Sequence, residues 1–443
     1  MAGRDRISDL PECLLTQILS YLPTKDSVKT SLLSKRWESV WLRVPGLDLR
    51  FYDFPDVQAM ESFIDQFLKV NKYSQLQKFE IESKNDGFLV SWICRADGHV
   101  VHHLDVSDVI RKAPNVTQSI YRSNTLVSLK LVSVRLETPK CSVYLPCLKI
   151  MYSEDVWYDY DDPLTMEKTI AGCPALEDLT VIISRPWLDE SFERNFLKHL
   201  RVRSQILKRF RLMFEDRWGG RNCSVEIDAP SLEYMSFSDN QSAKIVVKNL
   251  SSLVMVDIDC AFKAYFGESF LLQGRENISE LTIHDFFAGI SGVRHMIISR
   301  PTLQVLCRYS ELGKIPKFEY LYRLQAKFSC DTLRLLPKFL ESCINLEDLI
   351  VDFDAVSMFP MKIELTYVPR CLIMTLECVE INKLKWNEEL GMKLVNYFLE
   401  NSVILKKLTV SFIDSPVSNQ EREIYRKLLT TRKRSGRCQV SIY

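Results

Sequence analysis

Apolar residues recur along this chain in one short pattern, in which a second apolar residue follows the first after three positions and a third follows two positions later. The clearest copies begin at Leu176, Leu346 and Leu405. Most copies begin about 25 residues after the previous one, and a fixed period of this length is the mark of a repeat architecture. The first positions are Leu76, Val101, Leu126, Leu148, Leu176, Leu207, Leu232, Leu253, Ile278, Leu303, Leu321, Leu346, Leu376 and Leu405.

The second and third apolar positions of each copy point to the same side of a strand, because they are two residues apart. A single strand of this kind cannot bury its apolar side, whereas stacked parallel neighbours form a continuous core. Helical spacing follows some strands, as in 189–200 and 331–342. The pattern therefore predicts an α/β fold with a leucine-rich-repeat solenoid, its parallel strands concave and its helices convex. An ordinary α/β sheet with leucine-rich strands is the alternative.

The N-terminal residues predict three short helices. Asp9 can cap the first, with Pro11 in its first turn, and Pro23 ends it. Thr24 can cap a second helix that runs through Val28, and a third begins near Ser34. Leu14, Ile18 and Leu22 share one face of the first helix, Leu15 and Leu19 share an adjoining face, and Trp37 and Trp41 are four positions apart in the third.

This helical region carries more apolar side chains than it can bury. A unit of about 40 residues has little interior, yet apolar residues occur throughout 7–41. The next domain or a partner must cover part of that surface. The helices could also form a cap that seals one end of a solenoid.

Three runs in this region, Asp5–Pro11, Ile18–Asp26 and Ser31–Trp37, closely resemble the F-box. They are similar to the plant subgroup in which leucine-rich repeats and a C-terminal FBD domain follow. The resemblance implies docking on a Skp-type adaptor, and through it on a cullin. It assigns the adaptor-binding role to Leu10, Pro11, Leu14, Ile18, Leu22, Leu33, Ser34, Lys35, Arg36 and Trp37.

The C-terminal region from Val368 resembles the FBD domain, through its Val-Pro-x-Cys-Leu element and its closing run at 434–440. The Trp and Pro usual before that element are absent, and Lys433 stands where a Pro is expected. The residues themselves predict two helices, one carrying Leu390, Leu394 and Phe398 and one carrying Ile424, Leu428 and Leu429, before a last strand at 440–442. The two resemblances and the repeat pattern together divide the chain into an F-box at 4–50, leucine-rich repeats at 51–360 and an FBD-like α/β cap at 361–443.

Composition describes a globular chain without a dominant charge. Of its 443 residues, 46% are hydrophobic and 26% charged, and the formal charge is +1. No global field attracts nucleic acid or an anionic membrane. The sequence carries neither an apolar signal core nor a run long enough to cross a membrane. Scattered cysteines suit reduced thiols, so we expect a cytoplasmic or nuclear protein, or both.

No motif for catalysis or cofactor binding is present. The sequence lacks a phosphate-binding glycine loop, and it lacks the Cys-x2-Cys pairs of zinc and RING modules. His99, His102 and His103, with Asp97 and Asp105, suggest a metal, but the repeat there turns His102, His103 and Asp105 outward. Cys173 and Cys343 occupy matching repeat positions and are expected to be structural thiols. We therefore predict no metal, no cofactor and no enzyme.

Two polar segments allow alternative interpretations. The acidic and aromatic run at 154–162 fits either a solvated insertion loop or a surface for a basic partner. The basic run at 432–437 fits either the start of the last strand or a nuclear signal.

The whole pattern indicates a recruiting scaffold that holds an unknown protein substrate on its repeats. The residues between the apolar positions face the predicted concave surface and differ between copies. The substrate-binding candidates are Glu177, Asp178, Thr180, Arg209, Arg211, Tyr234 and Ser236. Two rivals are a repeat protein that binds partners without any ligase role and an enzyme that uses the concave face.

Overall fold

The computed structural model divides the chain into two compact units, Met1–Leu207 and Lys208–Tyr443. The structure describes residues 6–70, 76–83, 100–109, 114–116, 118–158, 164–184, 199–215, 223–239, 242–262, 280–354, 365, 367–384, 389–413 and 431–443.

The first unit begins with a small helical region at 6–44. Helix α1 spans Glu12–Leu19, α2 spans Thr24–Lys29, and 3-10 turns span Thr30–Leu32 and Val40–Arg43. A proline precedes each helix, so Pro11 and Pro23 stand at the N-cap positions predicted for Asp9 and Thr24. The predicted third helix is replaced by turns and the 3-10 helix. The core of this helical region consists of Leu15, Leu19, Trp37 and Val40, with Leu10, Trp41 and Val44 packed against it.

This helical region packs against the first strand and the third helix. Strand β1 spans Gly46–Arg50 and is followed by a 3-10 turn at Phe51–Asp53 and helix α3 at Val57–Val70. Thr24 Oγ1 accepts a hydrogen bond from the Asp48 N–H at 2.8 Å. Lys25 forms an ion pair with Asp53 at 2.7 Å. The Trp41 ring stacks on two rings of α3, so helices and sheet share one apolar interior.

Parallel strands form the rest of the first unit. In order across the sheet, β1 is followed by β2 (Lys78–Ser83), β3 (His103–Asp108), β5 (Ser128–Val132), β7 (Ile150–Glu154) and β9 (Asp178–Ser184). Short parallel strands β4 (Asn115–Val116), β6 (Arg135–Leu136) and β8 (Trp157–Tyr158) form a second sheet. A 3-10 turn at Gln118–Arg122, helix α4 (Thr165–Ala171) and strand β10 (His199–Arg203) complete the described elements.

The second unit continues with the same arrangement. Its main sheet has the order β11 (Arg209–Glu215), β13 (Tyr234–Asp239), β15 (Met255–Asp259), β16 (His295–Ile298), β17 (Arg323–Ser329), β18 (Asp348–Asp354), β19 (Cys378–Leu384), β20 (Lys407–Phe412) and β21 (Gln439–Ile442). Strands β12 (Cys223–Asp228) and β14 (Ser242–Lys248) pair in parallel beside it. The helices are α5 (Glu280–Gly289), α6 (Arg300–Leu312), α7 (Leu336–Glu341, after a 3-10 turn at Leu333–Leu335), α8 (Arg370–Met374) and α9 (Glu389–Asn401).

The predicted repeat is confirmed in most of its copies. A strand of a main sheet begins two residues after the first apolar position in twelve of the fourteen copies, and each of those first positions is buried. Leu303 is an exception because it lies in α6, where Ser299 caps the helix and Pro301 stands in its first turn. Ile278 lies outside the described residues. Among the described strands of the main sheets, two were missed, β1 after Val44 and β16 after Val293.

The segments that return between strands are helices in some repeats and strands in others. The helix expected at 331–342 is present as a 3-10 turn followed by α7. Most of the helix expected at 189–200 lies outside the described residues, and its last two residues begin β10. The acidic and aromatic run at 154–162 is neither a loop nor a partner surface where it is described. Trp157 and Tyr158 are buried because they form β8, a strand of the second sheet.

The C-terminal region extends the sheet of the second unit. Strand β19 pairs with β18 in parallel register, with Cys378 opposite Asp348, although the sequence placed a domain boundary between them. Helix α9 is close to its predicted position, and the predicted second helix lies outside the described residues. The basic run leads into β21, where Ser435 Oγ donates to the Leu405 carbonyl at 2.7 Å. This placement fits the strand interpretation.

Candidate functional site

Helix α1 buries one side and exposes another that is equally apolar. Leu15 and Leu19 are fully buried, whereas Leu14 and Ile18, one position before each, are exposed. A helix whose apolar stripe is wider than its buried face presents the excess to solvent. The exposed set, called the docking face here, consists of Ile7, Leu14, Ile18, Tyr21, Leu22, Leu32 and Leu33.

The turn after the second helix brings further predicted residues to the surface. Leu33 is 68% exposed and its neighbour Leu32 is 87% exposed. Ser34, Lys35 and Arg36 are exposed as well. Large side chains this exposed in a small core-forming region indicate a surface meant to be covered.

Trp37 does not lie on this surface, contrary to the adaptor-binding role given to it above. Its side chain is 5% exposed, and its indole N–H donates to Ser8 Oγ at 2.8 Å. A ring this large fills the interior of a region that has few other buried side chains. The ring is part of the helical core, four positions after the exposed Leu33.

Leu10 and Pro11 connect the docking face to the interior. Leu10 is half-buried against the core cluster, and its carbonyl accepts a hydrogen bond from Arg36 Nη2 at 2.5 Å. Pro11 is exposed at the start of α1. An ion pair between Glu12 and Arg43 at 2.7 Å ties α1 to the 3-10 turn.

The predicted substrate residues lie on the open face of each main sheet, opposite the buried side. In the first unit, Glu177, Asp178 and Thr180 are half-exposed at and before β9, and Thr180 is opposite Tyr152 of β7. The same face carries Asp48, Glu80 and Asp105 opposite one another on β1, β2 and β3. Burial, together with the neighbouring Glu80, raises the pKa of Asp48. Burial also raises the pKa of Asp105, against the effect of its hydrogen bond from Lys130.

In the second unit, Arg209 and Arg211 are exposed on β11, and Tyr234 and Ser236 are half-exposed on β13. Arg209 is opposite Tyr234 and Arg211 is opposite Ser236, so the four side chains form one patch. Sequence reasoning missed Asp257 and Asp259 on β15, which lie opposite Ser236 and Ser238, and Lys327 on β17, two strands further along the sheet. Their copies begin at Leu253 and Leu321, and the same alternation could have identified them.

The described residues contain no group of three or more potential metal ligands. Burial raises the pKa of the Cys173 thiol to about 12 and raises that of Cys343 well above its usual value. A thiol of this kind is a poor nucleophile because the thiolate is the reactive form. None of the helices in the described part of the chain is long and apolar enough to cross a membrane.

Comparison with known proteins finds the same organisation. The F-box domain family model matches residues 7–47 and the FBD family model matches residues 364–410. An F-box/FBD/LRR-repeat protein of Arabidopsis thaliana is 53% identical, with 99% of each chain aligned. Two more Arabidopsis proteins of that description are 45% and 43% identical, each over at least 98% of both chains.

Proposed function

Because this chain belongs to the F-box/FBD/LRR-repeat family, we propose that it is the substrate-recruiting subunit of a Skp-cullin-F-box ubiquitin ligase. Its F-box would bind a Skp-type adaptor, and through it a cullin. The open faces of the repeat sheets would bind a protein substrate. This work would take place in the cytoplasm, the nucleus or both.

The docking face is the observation that carries this proposal. Its side chains surround α1 and the turn at Leu33, which are the elements that carry the F-box motif. Leaving such side chains in water is unfavourable by about 25 cal/mol for each Å² of apolar surface. A partner that covers them recovers this free energy, and apolar residues at the centre of an interface usually dominate its affinity.

The chain itself would contribute proximity rather than chemistry. An adaptor bound at one end and a substrate bound on the sheets place a substrate lysine close to the charged conjugating enzyme. Tethering of this kind converts a bimolecular encounter into a reaction at high effective concentration. Half-exposed polar residues that differ from strand to strand, such as Thr180, Tyr234 and Ser236, suit one specific protein surface.

The experiment is co-purification of the full chain with a Skp-type adaptor. The double substitution Leu14→Asp and Ile18→Asp places two charges on the docking face without touching the buried Leu15 and Leu19. We expect at least a hundredfold loss of adaptor affinity, since two buried charges without partners cost several kcal/mol. Calorimetry or surface plasmon resonance would measure it.

Leu312→Asp is the matched control, because Leu312 is exposed at the end of α6, outside the F-box. It should bind the adaptor as tightly as the unmodified chain. Full adaptor binding by the Leu14→Asp, Ile18→Asp chain would contradict this interface. A chain that binds no adaptor in any form would instead be an interaction module without a ligase role.

A further inference from the structure

Among the residues that the structure describes, four charged side chains on the open face of the second unit have no charged partner within contact distance. Arg211, Asp257, Asp259 and Lys327 form no ion pair or hydrogen bond through their charged atoms with any residue in the described ranges. Neighbouring charged side chains on the same face do form ion pairs. Arg323 pairs with Asp348 at 3.6 Å, and Lys383 pairs with Asp352 at 3.8 Å.

The sheet register places these four groups in a fixed order. Arg211 of β11 is opposite Ser236 of β13, and Ser236 is opposite Asp257 of β15. Asp259 follows on the same side of β15. Lys327 stands on β17, two strands beyond, with β16 between them. Two strand spacings are about 10 Å, so the face is basic, acidic and basic from β11 to β17, and on β18 Asp352, which pairs with Lys383, lies opposite Lys327.

The central carboxylates are poorly solvated. Burial raises the pKa of Asp257, Lys327 and Arg211 act against it, and Asp259 acts with it. Asp259 Oδ1 is fully shielded from solvent and accepts no hydrogen bond from the described residues. A shielded carboxylate oxygen without a donor is unfavourable in the free protein. Asp259 as a residue is half-exposed, so a cationic group that a partner brings to its exposed part would offset this cost without contacting the shielded oxygen.

Directly opposite the two carboxylates, the strand between Arg211 and Asp257 carries only small side chains on this face. Ser236 and Ser238 of β13 lie directly opposite Asp257 and Asp259. On the other side, Ile297 of β16 is opposite Asp257. A side chain that reaches the carboxylates therefore meets two short hydroxyl groups on one flank and an apolar group on the other, which suits the aliphatic stem of a lysine or arginine.

We infer that Arg211, Asp257, Asp259 and Lys327 form a recognition site for a protein segment in which one lysine or arginine is flanked by two acidic residues. The carboxylates bind the cation, while Arg211 and Lys327 each bind one flanking carboxylate. Nucleic acid does not fit, because a phosphate placed between the two cations meets Asp257. This inference rests on the proposed recruiting function and specifies the chemistry of its substrate.

Three fluorescent peptides test the order of charges on the full chain bound to its adaptor. The first has a central Arg flanked by two Glu, the second a central Glu flanked by two Arg, and the third three Arg. Gly and Ser spacers of about three residues separate the charges, since three residues span about 10 Å. We expect the first peptide to bind at least tenfold more tightly than the second, by fluorescence anisotropy at low ionic strength.

Two variants and a control complete the test. Asp257→Asn with Asp259→Asn should weaken the binding of the first peptide at least tenfold. Arg211→Glu with Lys327→Glu makes all four positions acidic, so this variant should no longer bind the first peptide and should bind the third more tightly than the unmodified chain does. Misfolding cannot produce that gain. The control exchanges a pair that is already satisfied, Arg323→Glu with Asp348→Arg, and should bind the first peptide as the unmodified chain does.

Equal binding of the first two peptides, absence of binding up to about 1 mM, or no gain of the third peptide by the Arg211→Glu, Lys327→Glu chain would overturn the site. Adaptor binding is measured on the same preparations. If it is intact, the recruiting function survives the loss of this site. If the adaptor does not bind, the recruiting function is wrong whichever peptide is preferred.

Discussion

At the scale of single residues, Trp37 separates the structural role of the F-box motif from its binding role. Its indole N–H donates to Ser8 Oγ inside the helical region, while Leu33, four positions earlier, is exposed. The two side chains belong to one turn, so a change at either should weaken adaptor binding. The expected physical causes differ, because Trp37 is buried and bonded to Ser8 whereas Leu33 is exposed.

The prediction at this scale compares Trp37→Phe with Leu33→Ala. Trp37→Phe loses the hydrogen bond to Ser8 and should lower the local stability of residues 6–44 by about 1 kcal/mol. That is about a fivefold drop in hydrogen-exchange protection of the Leu15 and Val40 amides. Leu33→Ala should leave protection unchanged and weaken adaptor binding directly.

Ser8→Ala is the matched control, since it removes the same hydrogen bond from the other side. The double variant with Trp37→Phe should cost little more than either single change. Additive losses would mean that the hydrogen bond does not couple the two residues.

At the scale of elements, much of the fold could be predicted because the repeat combines two constraints, a strand with one buried side and a constant period. Leu303 shows the limit. Its neighbour Leu306 stands three positions later, a spacing that suits a helix as well as the start of a repeat, and Ser299 with Pro301 decides for the helix. Leu14, Ile18, Leu22 and Leu33 of the adaptor-binding set are exposed, whereas Trp37 of that set is buried, because the motif gives the residue but not the direction of its side chain. Ile7, Tyr21 and Leu32 are exposed as well, although the motif gave them no role.

Turns between a main strand and a second-sheet strand use an uncommon backbone conformation, and this supports a prediction. Ser133 has φ 55° and its N–H donates to the Glu154 carbonyl at 2.9 Å. In the next repeat Asp155 has φ 49° and its N–H donates to the Ile182 carbonyl at 2.9 Å. This left-handed conformation costs a residue with a Cβ about 1–2 kcal/mol relative to glycine.

Ser133→Gly should therefore be about 1 kcal/mol more stable than Ser133→Ala, since both remove the hydroxyl and only glycine relieves the strain. Hydrogen-exchange protection in β5 and β7 would measure the difference. The same pair of changes at Val134, which does not have a positive φ, should show the opposite order. Equal stability of the two Ser133 variants would mean that the turn relaxes to another conformation.

At the scale of the whole molecule, the F-box helices pack against the first strand and the third helix, so the F-box cannot be removed without disturbing them. Thr24 accepts the Asp48 N–H at the edge of β1, and Trp41 covers two rings of α3. Removing residues 1–50 would take away β1 and uncover both the apolar face of α3 and the edge of β2. An exposed apolar surface beside an open strand edge favours aggregation. The truncation is therefore a poor test of where the substrate binds.

Substitutions on the docking face separate recruitment from ligase assembly without that damage. A full chain with Leu14→Asp, Ile18→Asp and Leu33→Asp keeps every buried residue of the helical region, so its repeat sheets should fold normally. We expect it to co-precipitate the substrate as well as the unmodified chain does, while substrate ubiquitination falls to background. The substrate should then accumulate, because it is held but not modified. Co-precipitation with quantitative mass spectrometry of ubiquitin remnants would measure both, with Leu312→Asp as the control. Loss of substrate capture by a folded triple variant would mean that the docking face itself contributes to recognition, and the division between adaptor-binding helices and substrate-binding sheets would be wrong.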